Sequence, residues 1–207
     1  MTRLFSASCL AVLMLSVHGG ALAMTWNFDG DETGKLAKGF SNESGAWQVA
    51  KDETAPSKPN VLAQTATEKK KAYNVALAAE SSFKDVELSV KMKAVAGEED
   101  QGGGLVWRAK DGANYYIARF NPLEDNFRVY KVVDGVRKQL GTADLKAAPG
   151  WHALRVVMVD DHITCYFDGV QHLDVKDSTF KEAGKIGLWS KSDAQTHFDD
   201  LTASEPK

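Results

Sequence analysis

Between Gln101 and Arg137 apolar residues return at every second position through three consecutive runs, and this stretch constrains the chain more than any other. A period of two belongs to a β-strand, whose successive side chains point to opposite faces, so the segment reads as three strands. Lys110-Asp111-Gly112-Ala113 turns between the first and second, and Pro122-Leu123-Glu124-Asp125 between the second and third. Leu105 and Trp107 share a face in the first strand, Tyr116, Ala118 and Phe120 in the second, Phe127 and Val129 in the third. Aligning these apolar sets gathers Arg108, Tyr115, Arg119, Asn121, Arg128 and Tyr130 on the opposite surface, with Asn126 beside them. Guanidiniums, phenols and amides on adjacent strands make a donor-rich, partly aromatic platform, and this is the candidate binding surface. The arginines have another use open to them: Glu98, Glu99, Asp100, Glu124 and Asp125 could pair with them in a solvated ion network worth little. Gly102, Gly103 and Gly104 favour the binding surface. Glycines entering a strand cost about 0.5–1 kcal/mol each against alanine, and such a run signals a bulge or a close approach to the backbone.

The rest of the chain repeats the pattern in shorter form. Trp26 and Phe28 alternate ahead of an acidic turn at Asp29–Gly34, and Gly45–Val49 makes a further strand. Prolines mark Ala55–Asn60 as a loop. Val61–Ala63 and Tyr73–Leu77 read as strands joined through a basic hairpin tip at Glu68-Lys69-Lys70-Lys71. Val86, Leu88, Val90 and Met92 alternate with Glu87, Ser89, Lys91 and Lys93. Further strands are expected over His152–Val159, His162–Phe167, Gln171–Val175, Gly184–Lys191 and Thr196–Ala203, with Asp168-Gly169 as a hairpin turn. Only Ser178–Glu182 suggests a helical turn. About twelve short strands with brief loops predict an all-β, antiparallel two-sheet sandwich.

The first 23 residues read as an export signal. Arg3 supplies the positive end, Leu4–Val17 the apolar run, and Ala21-Leu22-Ala23 the small-x-small cleavage site. The run is short of the ~20 residues a membrane span needs. The expected mature protein is therefore one domain over 24–207, periplasmic or secreted. Cys165 is then the only cysteine, and its flanks Ile163 and Phe167 at period two mark it as a buried small hydrophobe. A formal net charge of −3, with no basic tract, gives no reason to expect nucleic acid or an anionic membrane as partner.

Several short motifs carry a family resemblance. They are Phe28-Asp29-Gly30, Trp47-Gln48-Val49, the run Gly102–Arg108, Tyr115–Arg119, Gly150-Trp151-His152, Tyr166–Gly169, Gly184–Trp189 and Phe198–Leu201. Together they resemble the concanavalin A-like lectin/glucanase superfamily, nearest its exported bacterial family-16-like or 3-keto-disaccharide hydrolase-like domains. The resemblance implies a jelly-roll sandwich whose concave sheet carries a glycan, with the Arg/Tyr/Asn platform at its centre. It also implies a structural Ca²⁺ joining the first strand to the last, here through Asp29 and Asp199 with backbone carbonyls.

The residues argue against carrying over the family's hydrolysis. A family-16 site places carboxylates as Glu-x-Asp-x-x-Glu, so that alternate residues reach one sugar. That spacing is absent; Glu98, Glu99 and Asp100 are contiguous and cannot share a face. No two of His152, His162, His172 and His197 stand at metal-ligand spacing. The leading expectation is a glycan-binding protein that does not catalyse. A glycoside-cleaving enzyme using Glu99 or Asp100 with His197 is the alternative, and an envelope protein-interaction module the third.

Overall fold

A computed structural model describes residues 23–69 and 72–207, and among these it contains fifteen strands and no helix. In chain order they begin with β1 (Met24–Trp26), β2 (Phe40–Ser44), β3 (Trp47–Lys51), β4 (Asn60–Gln64) and β5 (Tyr73–Ala78). The middle holds β6 (Val86–Ala96), β7 (Gly103–Asp111), β8 (Asn114–Asn121), β9 (Asn126–Val133) and β10 (Val136–Asp144). The chain closes with β11 (Trp151–Val159), β12 (His162–Phe167), β13 (Val170–Lys176), β14 (Lys185–Lys191) and β15 (Gln195–Ser204).

Two antiparallel sheets stack as a jelly-roll sandwich. One runs β13-β12-β11-β6-β15-β4-β3, with β1 also paired to β15; the other runs β10-β9-β8-β7-β14-β5-β2. Alternation explains which residues lie between them. Val86, Leu88, Val90 and Met92 of β6 are buried while Glu87, Ser89, Lys91 and Lys93 keep solvent contact. They meet Leu105, Trp107, Tyr116, Phe120 and Phe127 from the facing sheet. Each such aliphatic or aromatic side chain contributes roughly 1.5–3 kcal/mol by leaving water. Cys165 sits in this core, as expected, and burial pushes its thiol far above the ordinary range.

Tight turns set the registers. Asp168-Gly169 and Asp134-Gly135 both place two successive residues at positive φ, the geometry that matches the twist of a two-residue hairpin. The first joins β12 to β13 as expected; the second joins β9 to β10, a strand the alternation reading had not separated. β2 is likewise additional.

Other expectations change. β4 and β5 lie in different sheets, so the segment between them crosses the sandwich and is no hairpin. Ser178–Glu182 forms no helical turn; its backbone is held instead by Tyr116 and Arg108. The expected signal segment, apart from its last residue Ala23, lies outside the described residues.

Candidate functional site

The outer face of the seven-stranded sheet carries most of the expected platform. Cross-strand pairing lines up Arg128, Arg119, Gly104, Trp189 and Val75 across β9, β8, β7, β14 and β5. A second row holds Gln139, Tyr130, Ile117, Val106, Gly187 and Leu77. Two glycines in these rows place no side chain on the face. Tyr115, Val132 and Tyr73 complete an apolar and aromatic floor distinct from the main core.

This face is concave. Arg137 on β10 and Tyr73 on β5 stand five steps apart in the strand order. In a flat sheet that separation is about 24 Å, at ~4.8 Å per step. Yet the guanidinium carbon of Arg137 lies 5.7 Å from the Tyr73 ring, 5.7 Å from Trp189 and 4.3 Å from Tyr130. Only a sheet curled towards this side brings them together.

Polar groups on the face form two clusters. Glu124 Oε2 accepts from Arg119 Nη2 and Arg128 Nη1, each at 2.9 Å, and from Asn126 Nδ2 at 3.0 Å. Partial burial opposes its charge, but these donors and the two guanidinium charges outweigh that and bring the carboxyl down to about 2. Arg119 also donates to the Tyr130 hydroxyl, at 3.3 Å. In the second cluster buried Asp100 accepts from Asn121 Nδ2 at 2.8 Å and from Lys191 Nζ at 2.5 Å. The loop carrying Asp100 is held by Asp193, whose carboxylate accepts from the backbone amides of Glu98, Glu99 and Asp100.

Three polar positions are left over. Arg119 is 2% exposed, and its Nε and Nη1 are buried with no acceptor. Arg137 Nη1 and Asn126 Oδ1 are likewise buried without a partner. Leaving a buried donor unmet costs about 1–3 kcal/mol.

The sequence expectations divide accordingly. Tyr115, Arg119, Asn121, Arg128 and Tyr130 share the face. Arg108 does not. A bulge between Trp107 and Asp111, with Arg108 at φ 46°, turns its side chain out of the alternation. Its guanidinium donates to the carbonyls of Lys84, Phe180 and Asp160 and pairs with Asp85, closing an end of the sandwich. The glycine run also has an internal cause. A Cβ on Gly104 would stand 1.9 Å from the Ala118 carbonyl oxygen, and one on Gly103 2.5 Å from that of Trp189. Neighbouring strands, and no external ligand, account for those two glycines. Stacking of a sugar on Tyr115 or Trp189 is likewise not offered: both rings are buried, and the indole N–H donates to the Tyr115 hydroxyl at 3.2 Å. Burial pushes the Tyr115 phenol well above its ordinary range.

The alternative catalytic set is dispersed. Glu99 is exposed in its loop, Asp100 belongs to the concave face, and His197 lies on the outer face of the other sheet. There His197 Nδ1 bonds Asp52 Oδ2 at 2.8 Å, and Lys93 pairs with the same carboxylate. These contacts pin segment 52–59 over the sheet. The two faces are separated by the whole core, so these residues cannot share a substrate.

Asp29 and Asp199 both fasten the segment 57–60. Asp29 Oδ1 accepts from Asn60 N, while Asp199 accepts from Ser57 N at 2.8 Å and Ser57 Oγ at 2.9 Å. No cluster of three or more His, Cys, Asp or Glu able to hold a metal occurs among the described residues. Asp199 also accepts from Asp200 N at 2.8 Å. It is fully buried, burial raises its pKa, and among the described residues no Lys, Arg or His lies within ion-pair distance of it.

Sequence reasoning missed Arg137, Trp189, Tyr73 and Lys191. The Asp134-Gly135 dipeptide could have revealed β10 and hence Arg137; nothing local marks the others as neighbours.

Comparison with known proteins gives a family and a fold. A family model described as a 3-keto-alpha-glucoside-1,2-lyase-like domain matches residues 27–203. No curated protein matches the sequence. The carbohydrate binding module CBM66 from Bacillus subtilis superposes with a TM-score of 0.68 at 20% identity, covering 81% of this chain and 96% of its own. The Bacillus licheniformis beta-glucanase gives 0.56 at 13% identity, over 92% of this chain and 100% of its own. A putative glycosyl hydrolase from Parabacteroides distasonis gives 0.58 at 15%, over 88% and 100%. At these identities the likeness is one of fold.

Proposed function

As this chain belongs to the 3-keto-alpha-glucoside-1,2-lyase-like domain family, we propose that it is an exported saccharide-binding sandwich, periplasmic or secreted, whose site is the concave face. The carrying observation is Arg137, a partly exposed guanidinium set on the curled face among Tyr130, Tyr73 and Trp189 with no acid within ion-pair distance among the described residues. Sugars present many acceptor oxygens, and a rigid guanidinium in a curved, partly apolar face is suited to fix them. Arg128, Asn121, Tyr115 and Tyr130 serve as its surroundings. The fold of the CBM66 module is in keeping with this reading.

Binding without catalysis is favoured by the state of the carboxylates. A general acid must hold a proton near neutral pH, and Glu124 sits near 2. Asp100 is committed to Lys191 and Asn121. Incubation of the protein with a 3-keto-α-glucoside should leave it intact; release of the free sugar would overturn the non-catalytic reading. A calcium ion at Asp199, between β15 and segment 52–59, is proposed as a structural support.

Arg137→Ala tests the site. Alanine removes the guanidinium and leaves the Glu124 cluster in place. Saccharide affinity should fall about 10- to 100-fold, the loss of one or two charge-assisted hydrogen bonds, with little change in melting temperature. An unchanged affinity would remove Arg137 from the site.

A further inference from the structure

We propose that the saccharide taken by the concave face carries a carboxylate, received by the guanidinium of Arg137. This rests on the saccharide-binding reading above and adds the charge of the ligand.

Charge balance on the face points to it. Arg119, Arg128, Arg137 and Lys191 share the face with three carboxylates: Glu124 is taken by Arg119 and Arg128, Asp100 by Lys191, and Asp144 lies on the Arg128 side, where it favours that guanidinium's charge. Counting Asp193 in the neighbouring loop does not change this, because three backbone amides already occupy it. Arg137 is left over. Among the described residues no acid lies within ion-pair distance of it, and its neighbours are the rings of Tyr130, Tyr73 and Trp189. Ring faces attract a cation but cannot neutralise it.

Hydrogen-bonding capacity points the same way. The Arg137 guanidinium is partly exposed and can only donate. A carboxylate only accepts, and a guanidinium fork matches its geometry. One carboxylate and ring hydroxyls are the composition of a uronic acid. An amino sugar would bring a second cation to the unpaired guanidinium.

The test uses the full-length protein after export. Oligogalacturonate, oligoglucuronate and oligomannuronate are titrated alongside their methyl esters and the corresponding neutral galacto-, gluco- and manno-oligosaccharides. At least one acid should bind tenfold or more tightly than its own ester and its neutral counterpart, with affinity falling as salt is raised. Arg137→Gln, which keeps donors but removes the charge, should abolish that preference, and Arg137→Lys should restore part of it. Melting curves of both variants establish that the sandwich is intact. Neutral sugars or esters binding as well as the acids would overturn the carboxylate and leave saccharide binding standing. Acid preference unchanged in Arg137→Gln would overturn the placement at Arg137. No binding across all three series overturns both this inference and the reading it rests on.

Discussion

Asp177 shows how a single carboxylate can fasten two parts of this molecule. Its Oδ1 accepts from the Tyr116 hydroxyl at 2.7 Å and Thr179 N at 2.8 Å, and its Oδ2 from Lys131 Nζ at 2.6 Å. Burial opposes its charge, yet Lys131, Thr179 and Tyr116 together bring it down to about 2. Desolvation correspondingly pushes the Tyr116 phenol up to about 12. A carboxyl whose folded pKa is depressed stabilises the fold fully above its unfolded pKa, roughly 4, and loses that stabilisation as pH falls through about 2. Asp177→Asn should therefore cost about 1–3 kcal/mol at pH 7, and the gap to the parent should close by about pH 2. Melting temperatures of the two proteins across that window check it; a gap independent of pH would contradict the assignment. Glu124 follows the same sign, but its greater exposure lets solvent screen it and makes its share smaller.

Among the strands, β7 carries the tightest constraints. It is paired to β8 on one side and β14 on the other, and Gly104 lies where the β8 backbone comes closest. A methyl group there must push against a carbonyl oxygen, which unlike a flexible side chain cannot swing aside. Gly104→Ala should destabilise the sandwich by about 3 kcal/mol, read as a lower denaturant midpoint. A change below about 0.5 kcal/mol would show that the strand pair opens more readily than its geometry implies. Four residues on, the bulge at Arg108 ends the regular pairing of the same strand. It diverts a guanidinium from the concave face to a rim where three carbonyls and Asp85 are waiting.

Across the whole molecule, the outer face of the eight-stranded sheet is where a long loop is fastened, on the side away from the proposed site. Segment 52–59 is pinned over the outer face of the eight-stranded sheet by Asp52 with Lys93 and His197, and by Ser57 with Asp199. Asp199 is the costly member, an anion buried without a cation. Calcium bound there would relieve that cost and stabilise the folded state by mass action. Chelator should then lower the melting temperature of the parent and leave Asp199→Asn unaffected. Equal melting curves for the parent with chelator and with added calcium would remove the ion from the account.

Period-two alternation by itself determined that the chain is an antiparallel sandwich, because burying one face of every strand leaves few other arrangements. It also brought Tyr115, Arg119, Asn121, Arg128 and Tyr130 to one surface, since their strands are consecutive and joined by short turns. Arg108 was misplaced because a bulge shifts register without altering composition. The pairing of β14 with β7, which sets Trp189 beside Arg119, joins residues far apart in sequence and leaves no local mark. Curvature was hidden for the same reason. Arg137 reaches Tyr73 only because the sheet curls, and curl is a sum of twists over seven strands that no single segment records.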